Sequence, residues 1–220
     1  MGKLIVIEGT DGSGKSTQFA RLCQRAEQEG HPFQRLVFPQ YQEPSSALIR
    51  MYLGGEFGEK PGDVNPYAAS AFYAVDRYAS YKKVWGQWYE NGGVILSDRY
   101  TTSNAVHQAS KLDPQIWEEF LSWLYEFEYE KIGIPKPDMV IFLDMPTDVS
   151  QKLLSKRYSG DNEKKDIHER DVDYLEHCRK AALFTAEFSG WQIVPCAENG
   201  EPRTIEAIAE DIKNKVKTLF

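Results

Sequence analysis

Cysteine is scarce in this sequence: Cys23, Cys178 and Cys196 are the whole complement of a 220-residue chain. An odd number without metal-ligand spacing argues against a disulfide framework or a thiolate zinc site, so reduced, packed thiols are expected. Histidine is almost as sparse, and His31, His107, His168 and His177 form no ligand pattern. Apolar runs long enough to cross a bilayer are missing. The charged start of the chain has no signal-peptide profile, and "MGKLIV" lacks the Ser or Thr of a myristoylation pattern. The expectation is a cytoplasmic protein without a membrane partner. Positive charge is in deficit too. A formal net charge of −7 argues against a general nucleic-acid binder, whose footprint is basic, although a local basic cleft stays open. Small molecules are the expected partners. No Pro/Gly/Ser-rich or single-charge tract divides the chain, which reads as a single domain over residues 1–220.

What the sequence does have begins at residue 9. "GTDGSGKST" places Gly9, Gly14, Lys15 and Ser16 in the spacing G-x-x-x-x-G-K-[ST]. Thr10, Asp11, Gly12, Ser13 and Thr17 complete the loop. Such a loop turns backbone N–H groups inward around phosphate only between a strand and a helix; elsewhere it is a flexible turn. Both flanks are there. "KLIVIE" is an apolar, largely β-branched run, and "STQFARLCQRAEQEG" sets Phe19, Leu22, Cys23 and Ala26 at helical spacing before Gly30. The loop is read as the binding site of a nucleoside triphosphate, with Lys15 on its β- and γ-phosphates and Ser16 on Mg²⁺.

Four further apolar runs, "FQRLVF", "GVILSD", "DMVIFLD" and "WQIVPC", alternate with helical stretches. This is the pattern of βαβ units: an α/β fold with a five-stranded parallel sheet flanked by helices on both faces. In "DPQIWEEFLSWLYEFEYEK", Trp117, Phe120, Leu121 and Leu124 recur at helical spacing and read as packing, with a subunit contact as an added use. "KRYSGDNEKKDIHERD" reads either as a solvated loop or as a closing lid over about residues 157–168.

Three stretches narrow the chemistry. "SDRY" ends the third strand, so Asp98 and Arg99 would face the same crevice as the phosphate loop, Asp98 ordering magnesium and Arg99 gripping phosphate as a planar fork. A surface Asp-Arg pair is the alternative. In "FYAVDRYAS", Tyr73 and Arg77 are four apart and share a helix face, either as a ring and donor for a base or as an ordinary cation–π pair. In "FPQY", Phe38 and Tyr41 line an aryl slot or belong to core and turn.

Together, "IEGTDGSGKST", "FPQY", "YLGGEFG", "FYAVDRYAS", "DRYTTSNAVHQ", "GIPKPDMVIFLD" and "DIHERD" resemble the bacterial-type thymidylate kinases from first strand to last helix. The resemblance implies a P-loop nucleoside monophosphate kinase-like fold with a short lid, acting as a homodimer. It also implies transfer of the γ-phosphoryl group of MgATP to dTMP. Residue by residue it implies that Asp11 holds the deoxyribose 3′-hydroxyl and Tyr73 stacks on thymine. Arg77 would serve the base or acceptor phosphate, Arg99 the acceptor phosphate, and Ser103 and Asn104 the base. Phe38, Tyr41, His107 and Gln108 would border that pocket. Some members carry an arginine in the P-loop where this chain has none, so Arg157, Lys164, Lys165 and Arg170 are the candidates to meet the transferred group. Gln40 and Tyr41 stand where some members place an arginine, and His107 where many place a tyrosine. Two other readings stay open: a P-loop kinase for another pyrimidine nucleotide or nucleoside, and a non-catalytic ATP-binding regulatory module.

Overall fold

The computed structural model describes residues 1–58, 60–157 and 172–219. Alternation inside one short strand explains how the layers are arranged. β1 (Lys3–Gly9) turns Leu4 and Val6 toward one face and Ile5 and Ile7 toward the other, and all four are fully buried. A strand covered on both sides needs such a continuous apolar run. Four partners lie parallel to one another around it: β2 (Phe33–Val37), β3 (Val94–Asp98), β4 (Met139–Asp144) and β5 (Gln192–Pro195), in the order β2-β3-β1-β4-β5. All five strands match the apolar runs of the sequence.

On one face α1 (Lys15–Gln28) buries Phe19, Leu22, Cys23 and Ala26 beside Ile5 and Ile7, together with Ile208, Ile212 and Val216 from the final helix. The helix closes before Gly30, whose φ of 75° is a backbone state glycine adopts without strain. On the other face Trp85, Tyr100, Phe120, Leu121, Leu124 and Phe142 pack with Leu4 and Val6. The aromatic stretch after Asp113 is therefore mainly core: α6 (Trp117–Tyr125) puts Trp117, Phe120, Leu121 and Leu124 inside the molecule. It continues into wider, π-type turns over Glu126–Ile132.

Because every strand of the sheet runs the same way, β1, β2 and β3 end at one edge. Ligands of open parallel sheets bind at this edge. The phosphate loop follows β1, Phe38 and the cis-bonded Pro39 follow β2, and Arg99 follows β3. Three helices rise over that edge: α3 (Pro66–Ser80), α5 (Thr101–His107) and α8 (Val172–Ser189). An Asn65 side chain caps α3 by accepting from the Tyr67 N–H at 2.8 Å. Helix α7 (Thr147–Arg157) packs beside the phosphate loop through Ser150 and Leu154. The lid expected at about residues 157–168, with Lys164, Lys165 and Arg170, falls outside the described residues, apart from the backbone of Arg157 at the end of α7. No described helix is long and apolar enough to cross a membrane.

Candidate active site

Glycine is used in the phosphate loop for two physical reasons. Gly12 and Gly14 hold φ values of 80° and 81°, a region costly for residues with a Cβ. At Gly9 space decides, because a Cβ there would meet the Ser13 hydroxyl at 2.5 Å. Gly14 also caps α1 without any side-chain oxygen, and no acidic residue occupies the first turn. The positive end of the helix dipole and its unsatisfied N–H groups are left for an anion. A cleft of about 370 Å³ opens at this point, walled by residues 10–17, Arg99, Leu153 and Leu154.

Lys15 is 8% exposed and forms a buried ion pair with Oδ1 of Asp98. Burial, aided by the nearby Arg99 charge, pulls the lysine pKa below its usual value, against the opposing pull of Asp98 and Glu8. Ser16 lies exposed on the first turn of α1. Ser16 and Asp98 supply two hard oxygen donors, which suits Mg²⁺, an ion that completes its shell with water and phosphate oxygens. Among the described residues no cluster of three or more His, Cys, Asp or Glu could hold a metal by itself.

A second cavity of about 250 Å³ adjoins the cleft. All ten residues that the sequence suggested for an acceptor line it: Asp11 from the loop, Phe38 and Tyr41 after β2, Tyr73 and Arg77 on α3, and Arg99, Ser103, Asn104, His107 and Gln108 on and around α5. Asp11 and Arg99 line both spaces, so the two meet at this pair. Pro39, Tyr52, Leu53, Tyr100 and Tyr174 add walls that sequence reasoning did not name. Asp76, almost fully buried on α3, fastens the loop after β2 by accepting from the Gln40 N–H at 2.9 Å and the Ser45 hydroxyl at 2.6 Å.

Arg99 has a φ of 68°, a strained state for a residue with a side chain. Its Nη2 reaches Asp11 at 3.1 Å, and Nη1 donates to Ser103 Oγ at 3.5 Å and to His107 Nε2 at 3.1 Å. Because a guanidinium only donates, that imidazole nitrogen accepts, and a neutral His107 carries its proton on Nδ1. Burial opposes the Arg99 charge, but Asp11, Glu8 and Asp98 outweigh it and raise the pKa. Glu8 itself is 1% exposed and accepts from the hydroxyls of Thr102 and Ser103, both at 2.7 Å.

Arg77 lines the second cavity and is at the same time paired inside the protein. Only 2% exposed, it forms a two-point ion pair with Glu128, Nε to Oε2 at 2.7 Å and Nη2 to Oε1 at 2.5 Å. Its charge is thereby balanced inside the protein, which fits a base-facing donor better than a phosphate clamp. Arg99, 22% exposed, is the arginine at the junction of the two spaces. Glu128 was missed because the packing read into "DPQIWEEFLSWLYEFEYEK" rested on its aromatic and leucine positions alone. A usable signal existed: Glu128 lies four residues past Leu124, on the same buried stripe as Trp117, Phe120 and Leu121. The side chain of Arg157 is not among those described.

Comparison with known proteins adds independent information. The family model of thymidylate kinase matches residues 7–212. A thymidylate kinase of Mycobacterium tuberculosis is 30% identical over 196 residues, covering 86% of this chain and 87% of that protein. A probable thymidylate kinase of Pyrobaculum aerophilum is 26% identical over 98% of this chain and 96% of its own length. For the thymidylate kinase of Danio rerio the figures are 27%, 100% and 92%.

Proposed function

The chain belongs to the thymidylate kinase family, and on that premise we propose that it transfers the γ-phosphoryl group of MgATP to dTMP, giving dTDP and ADP on the way to dTTP. The observation that carries this reading is the meeting of a phosphate-loop cleft and an aromatic-walled cavity at Asp11 and Arg99. Phosphoryl transfer needs alignment and charge neutralisation more than covalent chemistry, and two adjoining anion sites supply both.

In this reading Lys15 leaves Asp98 to meet the β- and γ-phosphates, which also gather at the N–H groups of the loop and α1. Ser16 and Asp98 would hold Mg²⁺, which when bound screens the charge of the donor phosphates. Arg99 exchanges Asp11 for the acceptor phosphate, and Asp11 is then available to the 3′-hydroxyl of the sugar. Tyr73 and Phe38 enclose the base, while Ser103, Asn104 and Gln108 face its edge and sugar. No side chain is needed as a strong base, since the attacking phosphate oxygen is already ionised at neutral pH.

Four finer points belong to the same proposal. The chain is of the bacterial type, a reading supported by the combination of Asp11 at the third position of the loop with "DRY", "SNA" and "GIPKPD". It forms a single domain and works as a homodimer in the cytoplasm. Arg157, Lys164, Lys165 and Arg170 are the candidates to meet the transferred group. A coupled assay of ADP release with dTMP, dUMP, UMP, dCMP and thymidine tests the central reading. The expected order of kcat/KM is dTMP, then dUMP, then UMP, the methyl group alone being worth about 1–3 kcal/mol. Preference for UMP, dCMP or thymidine would replace the acceptor assignment, and ATP binding without turnover on any of them would favour a regulatory module.

A further inference from the structure

Glu128 is 0% exposed and has no wall on either cavity, yet it holds two residues that do line the acceptor space. Its Oε2 accepts from Arg77 Nε at 2.7 Å and from the Thr101 hydroxyl at 2.8 Å. Its Oε1 accepts from Arg77 Nη2 at 2.5 Å and from Asn104 Nδ2 at 3.1 Å. Four donors from three residues converge on one buried carboxylate, and every one of its bonds is charge-assisted.

The consequence for Asn104 follows from elementary hydrogen bonding. A side-chain amide can turn by 180° and exchange its oxygen for its NH₂ group. Here Nδ2 faces two acceptors, Glu128 Oε1 and the backbone oxygen of Ser70, each at 3.1 Å. Turned over, the amide oxygen would lie against a carboxylate and a carbonyl. The orientation is locked, and Oδ1 is left without a partner among the described residues while Asn104 lines the cavity. Arg77 is constrained in the same way. With Nε and one N–H of Nη2 on Glu128, and Nη1 donating to the Tyr100 oxygen at 3.3 Å, its remaining N–H groups are pure donors.

We infer that Glu128 is a positioning residue that selects the hydrogen-bonding edge of the acceptor base, by fixing Asn104 as an acceptor and Arg77 as a donor beside the cavity. This pair matches the imide edge of a thymine or uracil ring, an N–H donor flanked by carbonyl acceptors. It opposes the cytosine edge, in which a ring nitrogen accepts and an amino group donates, so that like groups would face each other without partners. The inference rests on the proposed kinase reading of the site and goes beyond it by naming the group that enforces the choice of base.

Glu128→Gln tests it, because a glutamine presents one donor and one acceptor where the carboxylate presents two acceptors. Asn104 and Arg77 are then no longer held in one arrangement. The expected result is a fall of at least about tenfold in the kcat/KM ratio of dTMP to dCMP, with the KM for ATP within about twofold of wild type. A purely structural Glu128 would lower kcat/KM for both acceptors alike, and an unchanged ratio overturns the inference. Since the variant leaves Arg77 buried beside a neutral partner, it can fail to fold. The wild-type protein supplies the second measurement, calorimetric binding of dTMP against its N3-methyl derivative. Loss of at least about tenfold in affinity is expected when the N–H is removed, and binding within about twofold overturns the inference. Wild-type turnover of dTMP separates the two levels: without it the kinase reading falls and this inference with it, whereas turnover together with an unchanged ratio in the Glu128→Gln variant removes only the role of Glu128.

Discussion

Lys15 and Asp98 are each less than a tenth exposed and paired with one another. A buried pair of this kind gives up solvation for mutual attraction, and it contributes little net stability compared with well-packed apolar groups. Its use lies in keeping a lysine protonated in a cleft where burial lowers the pKa. Lys15→Ala should therefore cut phosphoryl transfer by roughly a hundredfold or more, the scale of losing one preorganised electrostatic donor. Steady-state rates on a variant whose circular dichroism matches wild type would show it; near-normal turnover would remove this lysine from the phosphate site. Lys111 is the contrasting case. It donates to the Tyr52 hydroxyl at 2.6 Å and lies 5.0 Å over that ring, and burial lowers its pKa to about 8. Below pH 8 the folded and unfolded chains both hold this proton, and the folded chain bears the cost of a buried charge. Between pH 8 and about 10.4 the unfolded chain alone keeps it, so this group adds stability as the pH rises. Lys111→Met should lose that increment. Its stability relative to wild type should fall by about 1–3 kcal/mol between pH 7 and pH 10, measured by urea unfolding at each pH.

At the scale of elements, the phosphate loop depends on α7 as well as on α1. A Cβ on Gly12 would come within 3.0 Å of Ser150 and 3.1 Å of Leu154, and the residue's φ of 80° disfavours any side chain. Gly12→Ala should lower stability by about 1–3 kcal/mol and raise the KM for ATP, because the loop must shift its inward N–H groups to relieve the contact. Denaturant midpoints and ATP titrations measure the two effects separately. A change in one without the other would uncouple loop shape from helix packing. The loop itself was legible in the sequence because a local spacing specifies it. So were the five strands, whose apolar runs end where Gly9, Val37 and Asp98 bring the active edge together. Glu8 and Glu128 were not legible as partners. Each meets residues far away in the chain, Glu8 bonding Thr102 and Ser103, and Glu128 bonding Arg77 51 positions earlier. Short-range periodicity reports that a position is on a buried face; it does not report which charge waits on the other side. Asp76 illustrates the same limit. Its neighbour Arg77 attracts attention, but the loop after β2 is held by Asp76 accepting from Gln40 and Ser45.

For the whole molecule, the proposed donor and acceptor spaces meet at Asp11 and Arg99, the described residues that line both. The acceptor cavity is walled by α3, α5, α8 and the ends of β2 and β3, elements that also bury Leu36, Phe38, Tyr100, Ala105 and Cys178 in one core cluster. A ligand bound there bridges several elements of that core, so its binding energy adds to folding stability. At a hundred times its Kd a ligand contributes about 2.7 kcal/mol, and in a chain of this size that raises Tm by about 5–10 °C. Both dTMP and ATP should therefore raise Tm separately. The effect of Arg99→Ala should be unequal. Arg99 bonds Ser103 and His107 on the acceptor side and Asp11 at the junction, whereas on the donor side the loop N–H groups and Lys15 remain. The variant should lose most of the dTMP-induced rise and keep most of the ATP-induced rise. Arg99→Lys should recover only part of the dTMP effect, since an ammonium lacks the planar fork that spans two phosphate oxygens. Thermal melts with each nucleotide alone measure this directly. Equal loss of both shifts would mean that Arg99 serves the two spaces alike, and would move the acceptor phosphate to another cation.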